Sequence, residues 1–100
     1  MPKPKLVASD FDFEKILPEW QVNRNAQELT RVFEFRVFKD AFEFMTLCAN
    51  FAEELDHHPD WSNSWNRVSV RLSTHSMKAL TELDITMASA MDQFARQVLV

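Results

Sequence analysis

Residues 53–61 read EELDHHPDW, and the sequence pattern differs on the two sides of this stretch. Pro59 lacks a backbone N–H and disfavours a helical conformation for the residue before it, so a helix running in from Asp40 is predicted to end near His57. His57 and His58 then lie at a helix C-terminus, where the helix dipole favours positive charge. The pattern leaves two interpretations open, a solvated polar helix end or an acid–base site.

The C-terminal side of this stretch predicts a hairpin and a helix. Residues 60–73 alternate between apolar and polar side chains, which is typical of strands, with a tight turn expected at residues 66–67. Thr81, with Asp84 three residues later, forms a capping box for a last helix that runs to about Val98.

The N-terminal side predicts a helix and a second hairpin. Ser9 is placed to cap a short helix that Pro18 stops. Residues 30–38 alternate with period two and are expected to pair with a short strand at residues 20–22 across a turn at residues 23–25.

The middle helix is predicted to be apolar over more than half of its circumference. Asp40 can cap it, and Phe44 and Phe51 belong to its broad apolar arc. One face can cover the sheet, whereas the other needs a second partner. That partner is either another subunit or the first or last helix.

The predicted order is therefore α-β-β-α-β-β-α. This is an α+β fold, a four-stranded antiparallel sheet with three helices packed on one face. Residues 1–8 are predicted to be a flexible N-terminal arm, and residues 9–100 a single domain.

Composition limits the partners. The chain has 100 residues, 46% of them hydrophobic, which suits one domain with a modest core. Its formal net charge of −4 repels phosphate backbones and anionic lipid surfaces, so we expect no direct binding to nucleic acid and no membrane association. No signal-peptide core or membrane-spanning segment is expected.

Cysteine and glycine usage is informative as well. Cys48 has no second cysteine with which to form a disulfide, which fits a reducing compartment and a cytoplasmic location. The absence of glycine excludes every Gly-rich phosphate loop. Turns that need a positive φ angle are expected to use asparagine. The candidates are Asn23, Asn25, Asn63 and Asn66.

The titratable residues suggest proton transfer. Glu53 stands four residues before His57 and is placed to orient it, and His75 follows the fourth predicted strand. Adjacent histidines at a helix stop point in different directions, so we expect no metal site. The sequence contains no recognisable nucleophile motif. Acid–base chemistry without a covalent intermediate remains.

Four motifs together resemble the pterin-4a-carbinolamine dehydratases. They are EELDHHPDW at 53–61, WNRV at 65–68, STH at 73–75 and LTELDI at 80–85. The resemblance begins at Trp20 and covers about four fifths of the chain. Two departures are Ala79, where many relatives have glycine, and Trp65, where tyrosine is common, and neither removes a proton-transfer group.

This resemblance implies a fold and a reaction. The fold is the α+β arrangement already predicted. The reaction is loss of water from 4a-hydroxytetrahydrobiopterin to give the quinonoid dihydropterin, a lyase step of tetrahydrobiopterin recycling that needs no metal or redox cofactor. Homodimers or homotetramers built through the middle helix are implied as well.

The resemblance also assigns site residues. His57, His58 and His75 match the catalytic histidines, with His58 as the principal acid–base group and the other two on the two faces of the bound pterin. The residues matched to substrate binding are Glu53, Asp56, Pro59, Trp20 and Asp84. Capping alone would account for Asp84 at about 1 kcal/mol.

Two other interpretations stay open. Some members of this family act as dimerisation cofactors of a homeodomain transcription factor, which would make this chain an interaction module that uses the middle helix. A relative that binds pterin without converting it is the third possibility.

Overall fold

Two antiparallel hairpins and two long helices form the body of the protein. A computed structural model describes residues 3–99. The elements are α1 (Phe13–Ile16), β1 (Gln21–Asn23), β2 (Glu28–Glu34), α2 (Phe38–Leu55), β3 (Asp60–Ser64), β4 (Arg67–Leu72), a 3₁₀ helix (His75–Met77) and α3 (Glu82–Leu99). The predicted α-β-β-α-β-β-α order is confirmed.

The sheet joins the two hairpins through their second strands. Its order is β1-β2-β4-β3, and every pair is antiparallel. Side chains alternate across it, so one face is apolar and buried while the other is largely polar. The buried face carries Leu29, Phe33, Val68, Val70 and Leu72. Helices cover this face, as predicted.

Helix α2 packs on two partners. Phe44 is fully buried against Phe33, at 4.6 Å between ring centroids, and so faces the sheet. Phe51 meets Phe94 of α3 edge to face at 6.0 Å. The last helix therefore covers part of the second apolar face of α2. Phe38 and Phe42 remain exposed at its N-terminal end.

Two predicted helix caps are wrong. Val37, not Asp40, is the N-cap of α2, and Asp40 lies in the first turn, where Arg36 donates to it at 3.1 Å. Asp12, not Ser9, caps α1 by accepting from the backbone N–H of Lys15. In α1 the cap is a carboxylate rather than the predicted serine hydroxyl, and in α2 the predicted carboxylate cap lies inside the first turn. No helix within residues 3–99 is long and apolar enough to cross a membrane.

The prediction that asparagines supply the positive φ angles is also wrong. The residues with positive φ are Gln27, Asp56, Trp65 and Lys78. The asparagines stabilise the turns with their side chains instead. Asn23 accepts from the N–H of Ala26 at 2.9 Å, and Asn63 donates to the carbonyls of Trp65 and Arg67 at 3.1 and 2.8 Å. The turn between β3 and β4 accordingly falls at residues 65–66, one residue before the predicted position.

The N-terminal segment lies against the start of α3. The N–H of Glu82 donates to the carbonyl of Lys5 at 2.8 Å, and the N–H of Val7 donates to the carbonyl of Leu80 at 3.1 Å. Leu6 lies between these bonds and pairs with Thr81 as an isolated bridge. The predicted arm is thus attached at residues 5–7, and its first two residues lie outside the described part of the chain.

Candidate active site

Strand direction brings the candidate residues to one end of the sheet. Because β3 and β4 are antiparallel, with Asp60 opposite Arg71, the start of β3 and the end of β4 lie side by side. Residues 56–59 enter this end from α2, and residues 73–81 leave it toward α3. All three histidines belong to these two connections.

A helix cap sets the direction of the first histidine. Helix α2 ends at Leu55, two residues earlier than predicted, and Asp56 adopts the left-handed conformation after it. The N–H of Asp56 then donates to the carbonyl of Glu53 at 3.3 Å, and that of His57 donates to the carbonyl of Ala52 at 3.1 Å. This is a Schellman motif in which aspartate occupies the usual glycine position. His57 is therefore fixed to the helix end through its backbone.

Each histidine ring shares a hydrogen bond with a different carboxylate. The three pairs are His57 Nε2 with Asp84 Oδ1 at 2.7 Å, His58 Nε2 with Glu53 Oε2 at 2.5 Å, and His75 Nε2 with Asp60 Oδ2 at 3.0 Å. The predicted pairing of Glu53 with His57 is wrong, because the cap at Asp56 turns the chain so that His57 reaches α3 and His58 reaches Glu53.

The pairs differ sharply in burial. The side chains of His57 and Asp84 are 8% and 0% exposed, whereas those of His58 and Glu53 are 54% and 77% exposed and those of His75 and Asp60 are 74% and 52% exposed. His58 and His75 can therefore present a whole ring to a ligand. His57 offers only an edge.

A buried polar network lies behind His57. Thr74 donates to Asp84 Oδ2 at 2.8 Å, and the backbone N–H of Thr81 donates to the same oxygen at 2.9 Å. The hydroxyls of Thr74 and Thr81 are 2.6 Å apart. The N–H of Leu83 donates to the hydroxyl of Thr81 at 3.3 Å, so the predicted capping box is present at the start of α3. Asp84 thus caps α3 and holds His57 at the same time.

The arrangement suits proton transfer better than metal binding. Within residues 3–99 no three histidine, cysteine or acidic side chains are grouped so as to hold a metal ion. Each imidazole instead shares a hydrogen bond with its own carboxylate, which orients the ring and leaves its other nitrogen for a ligand.

Trp20 lies outside this hydrogen-bond network. Its indole N–H donates to Asp92 Oδ1 at 2.8 Å, and its ring packs edge to face on Phe33 at 5.9 Å. Arg31 also binds Asp92, which fastens the first two strands to α3. With 6% of its surface exposed, Trp20 has little area to offer a ligand.

Sequence reasoning missed three residues of the site, namely Asp60, Thr74 and Thr81. Asp60 directly follows the quoted proline, and Thr74 directly precedes His75. Their positions next to the histidine motifs were a usable signal. Their partners depend on how the two connections meet in space.

A groove of about 750 Å³ crosses the helix-free face of the sheet. Its lining includes Gln21, Thr30, Ser69, Arg71 and Asp60. Asp60 belongs both to this groove and to the His75 pair, so the two features adjoin at one carboxylate.

Comparison with known proteins places this geometry in a family. The sequence model of the family described as pterin 4 alpha carbinolamine dehydratase matches residues 6–94, which include all three histidine–carboxylate pairs. The chain belongs to this family. Its relatives are lyases named for the pterin-4-alpha-carbinolamine dehydratase reaction. The resemblance inferred from the four motifs is confirmed.

Individual relatives agree with this assignment. A Bordetella avium protein named for pterin-4-alpha-carbinolamine dehydratase is 49% identical over 81% of this chain and 75% of its own length. A Brucella ovis protein with the same name is 48% identical over 81% of this chain and 84% of its own length.

Two solved structures are similar in fold. One is a transcriptional coactivator/pterin dehydratase from Brucella melitensis, with a TM-score of 0.80 and 44% identity over 91% of this chain and 98% of that chain. The other is a pterin dehydratase-like protein identified as a RuBisCO assembly factor in the alpha-carboxysome, with a TM-score of 0.67 over 77% of this chain and 89% of that chain. At 20% identity the second structure shows the fold alone.

Proposed function

We propose that this dehydratase-family chain removes water from 4a-hydroxytetrahydrobiopterin to give the quinonoid dihydropterin, by general acid–base catalysis from its histidines. The observation that carries this proposal is the set of three histidine–carboxylate pairs at one end of the sheet. The reaction needs groups that both donate and accept protons near neutral pH, and imidazole does so.

The chemistry balances without a redox partner. The bond between C4a and its hydroxyl oxygen breaks, the neighbouring ring nitrogen loses its proton, and a carbon–nitrogen double bond forms as water leaves. A protonated imidazole supplies the proton to the departing oxygen, and a neutral imidazole takes the proton from nitrogen. We assign no metal and no cofactor to this step, so turnover should persist in the presence of a chelator.

Exposure guides the assignment of roles. We assign His58 as the principal acid–base group, since its ring is accessible and Glu53 holds one ring nitrogen. His57 and His75 are assigned to the two faces of the bound pterin. A pterin that contacts His75 can extend past Asp60 into the adjoining groove.

The remaining residues fall into two groups. Glu53, Asp56 and Pro59 lie at the surface beside the histidines, and we keep them as substrate-binding candidates. Trp20 and Asp84 are buried, which favours a supporting role for both. We therefore assign Asp84 to the orientation of His57 and Trp20 to the packing of the first strands against α3.

Dehydration of freshly generated 4a-hydroxytetrahydropterin, followed by ultraviolet absorbance near neutral pH, tests the proposal. We expect the wild type to accelerate the reaction and His58→Ala to lose about 10²- to 10⁴-fold in rate. Asn50→Ala, at an exposed position of α2, is the control and should keep the rate. A folded wild type without acceleration, or a fully active His58→Ala variant, would overturn the proposal.

We place this activity in tetrahydrobiopterin recycling and in the cytoplasm. A lone buried cysteine suits a reducing compartment. The acidic net charge of −4 argues against direct contact with nucleic acid or anionic membrane.

A second candidate role is assembly through α2, with a further copy of this chain as the first partner. Phe38 and Phe42 are exposed on its first two turns, with ring centroids 5.8 Å apart. Exposed aromatic pairs of this kind are common at interfaces between subunits. The Brucella melitensis neighbour is described as a transcriptional coactivator as well as a pterin dehydratase. An interaction module that uses the same helix is the alternative function.

Mass in solution tests this role. Phe44 is fully buried, so a charge there would report on folding rather than on assembly. Phe42→Glu is the informative change and should reduce a dimer or tetramer to smaller species by light scattering. Ala26→Glu, in an exposed loop, is the control. A mass unchanged by Phe42→Glu would reject this surface as the interface.

A further inference from the structure

We propose that Thr74 and Thr81 are positioning residues whose hydroxyls form a one-way hydrogen-bond chain to Asp84, which makes Asp84 the acceptor in its bond with His57 and fixes His57 as the tautomer protonated on Nε2. The inference rests on the proposed function, because it names Nδ1 of His57 as a second ring atom that exchanges a proton with the pterin, beside the principal acid–base group His58. Its structural part can be measured without any substrate.

The hydrogen bond to Asp84 sets the direction of the chain. A backbone N–H can only donate, so the N–H of Leu83 obliges the Thr81 hydroxyl oxygen to accept, at 3.3 Å. A hydroxyl oxygen has two lone pairs, so Thr81 can still either donate to Thr74 or accept from it across 2.6 Å. Thr74 has a single proton and donates it to Asp84 Oδ2 at 2.8 Å, so Thr74 must accept from Thr81. Every hydroxyl is satisfied in this direction.

The carboxylate receives donors on both oxygens. Oδ2 of Asp84 accepts from the Thr81 N–H as well as from Thr74. Asp84 lies in the first turn of α3, where backbone N–H groups have no partner within the helix and side-chain oxygens accept from them. With Asp84 ionised, Oδ1 must accept its bond from His57, so Nε2 carries the proton at 2.7 Å.

The other ring nitrogen of His57, Nδ1, is available for proton transfer. Nδ1 has no hydrogen-bond partner among residues 3–99, yet no buried side-chain nitrogen or oxygen there lacks a partner. Nδ1 therefore lies on the exposed edge of the ring. In the neutral Nε2–H tautomer this atom holds a lone pair and can accept a proton.

The other two histidines have no such chain. Glu53 and Asp60 are both more than half exposed, so water reaches each carboxylate as well as its histidine does. Fixation of the tautomer is thus specific to His57, and it follows from Thr74 and Thr81, neither of which needs to touch the pterin.

Nitrogen NMR of the histidine rings in ¹⁵N-labelled protein, without substrate, tests the tautomer directly. In the wild type we expect the neutral form of the His57 ring to carry its proton on Nε2 and none on Nδ1. In Asp84→Asn, the Thr81 N–H and Thr74 hydroxyl hold the amide oxygen at the Oδ2 position, so the amide NH₂ faces His57. The ring should then invert to Nδ1–H.

The threonines are tested in the same spectra. Thr74→Val removes the link in the chain and should let the Nε2 proton exchange rapidly, so that its one-bond N–H signal is lost. Thr74→Ser keeps a hydroxyl and should restore the signal. Thr81→Val serves as the second variant if Thr74→Val does not fold, with circular dichroism as the check on folding.

Kinetics separate this inference from the proposed function. We expect Asp84→Asn to lower kcat at least about tenfold with little change in KM, since a protonated Nδ1 cannot accept a proton. A wild-type ring that carries its proton on Nδ1, or a folded Thr74→Val that keeps the Nε2–H signal and kcat, would overturn the inference. An inactive protein with the predicted tautomers would instead overturn the dehydratase proposal.

Discussion

The pairs formed by His57 and His58 join the same two chemical groups at adjacent positions of the chain, yet they behave as different structures. The His57–Asp84 pair is buried, and its carboxylate is held by three donors. The His58–Glu53 pair lies in solvent. A hydrogen bond to a charged group contributes about 1.5–3 kcal/mol inside a protein, whereas an exposed pair of charges contributes about 0–1 kcal/mol. Burial therefore fixes the geometry of the His57–Asp84 pair, whereas exposure leaves the His58 ring free to meet a ligand.

The largest expected effect breaks the buried pair. Asp84→Ala leaves His57, Thr74 and a helix N-terminus without their acceptor, so we expect a loss of about 3–5 kcal/mol in the free energy of unfolding. Urea denaturation measures it. Glu53→Ala is the matched change in the exposed pair and should cost less than about 0.5 kcal/mol. Equal losses in the two variants would contradict the distinction between the pairs.

Cys48 extends the comparison to a titratable group that is buried without a charged partner. Burial raises the pKa of its thiol to about 12, against 9.0 in the unfolded chain. The unfolded state therefore loses this proton first, and stability falls as pH rises above 9. We expect a loss of about 2 kcal/mol between about pH 9 and 11.

Cys48→Ala is the control for that measurement, since it removes the thiol and keeps a small apolar side chain. Its free energy of unfolding should fall less steeply over the same pH interval. An identical slope in the wild type and this variant would show that other groups cause the alkaline loss.

A smaller effect is expected at Asp56, the cap residue that directs His57 and His58 toward different carboxylates. Asp56 has φ of 54°, a conformation that costs a non-glycine residue about 1 kcal/mol or more. Asp56→Gly should therefore raise the free energy of unfolding by about 1 kcal/mol, measured by thermal or urea denaturation. Asp56→Val, which resists this conformation, should lower it. A stabilising valine would contradict the proposed cap.

The smallest effect lies in the exposed pair. Glu53→Gln removes the charge beside His58 and keeps a hydrogen-bonding group, so kcat/KM should change less than about fivefold. The change should shrink further at about 0.5 M salt, because exposed charges are screened there. The loss in Asp84→Asn should not respond to salt. A salt-insensitive Glu53→Gln defect would show that this pair is shielded from solvent when the pterin is bound.

The fold was predictable because each element carries its own periodicity. Alternation in residues 60–73 and the apolar arc after Asp40 depend only on local sequence. The one-residue error in the position of the β3–β4 turn had little effect on the predicted fold. A turn at residues 66–67 would pair Asp60 with Ser73 rather than with Arg71, a shift of two residues that leaves each side chain on its predicted face. Turn chemistry was less accessible, because asparagine side chains fixed turns whose positive φ fell on neighbouring residues.

The site was predictable in its histidines and not in their partners. The motifs around His57 and His75 marked the rings, since each stands beside a break in regular structure. The carboxylate for each ring was set by tertiary contacts. Asp84 reaches His57 from 27 residues away because α3 starts behind the α2 cap. That meeting depends on how two connections pack, which no local pattern describes.

The pairing of Leu6 with Thr81 connects the surface of the molecule to its buried polar network. Thr81 is the first residue of the hydroxyl chain to Asp84. Backbone hydrogen bonds join the residues on either side, Lys5 with Glu82 and Val7 with Leu80. A purification tag or label attached before this segment would disturb the hydrogen-bond chain that orients His57. A C-terminal tag is therefore the safer choice for kinetic work, and a fluorophore near Leu6 would report on the state of the buried network.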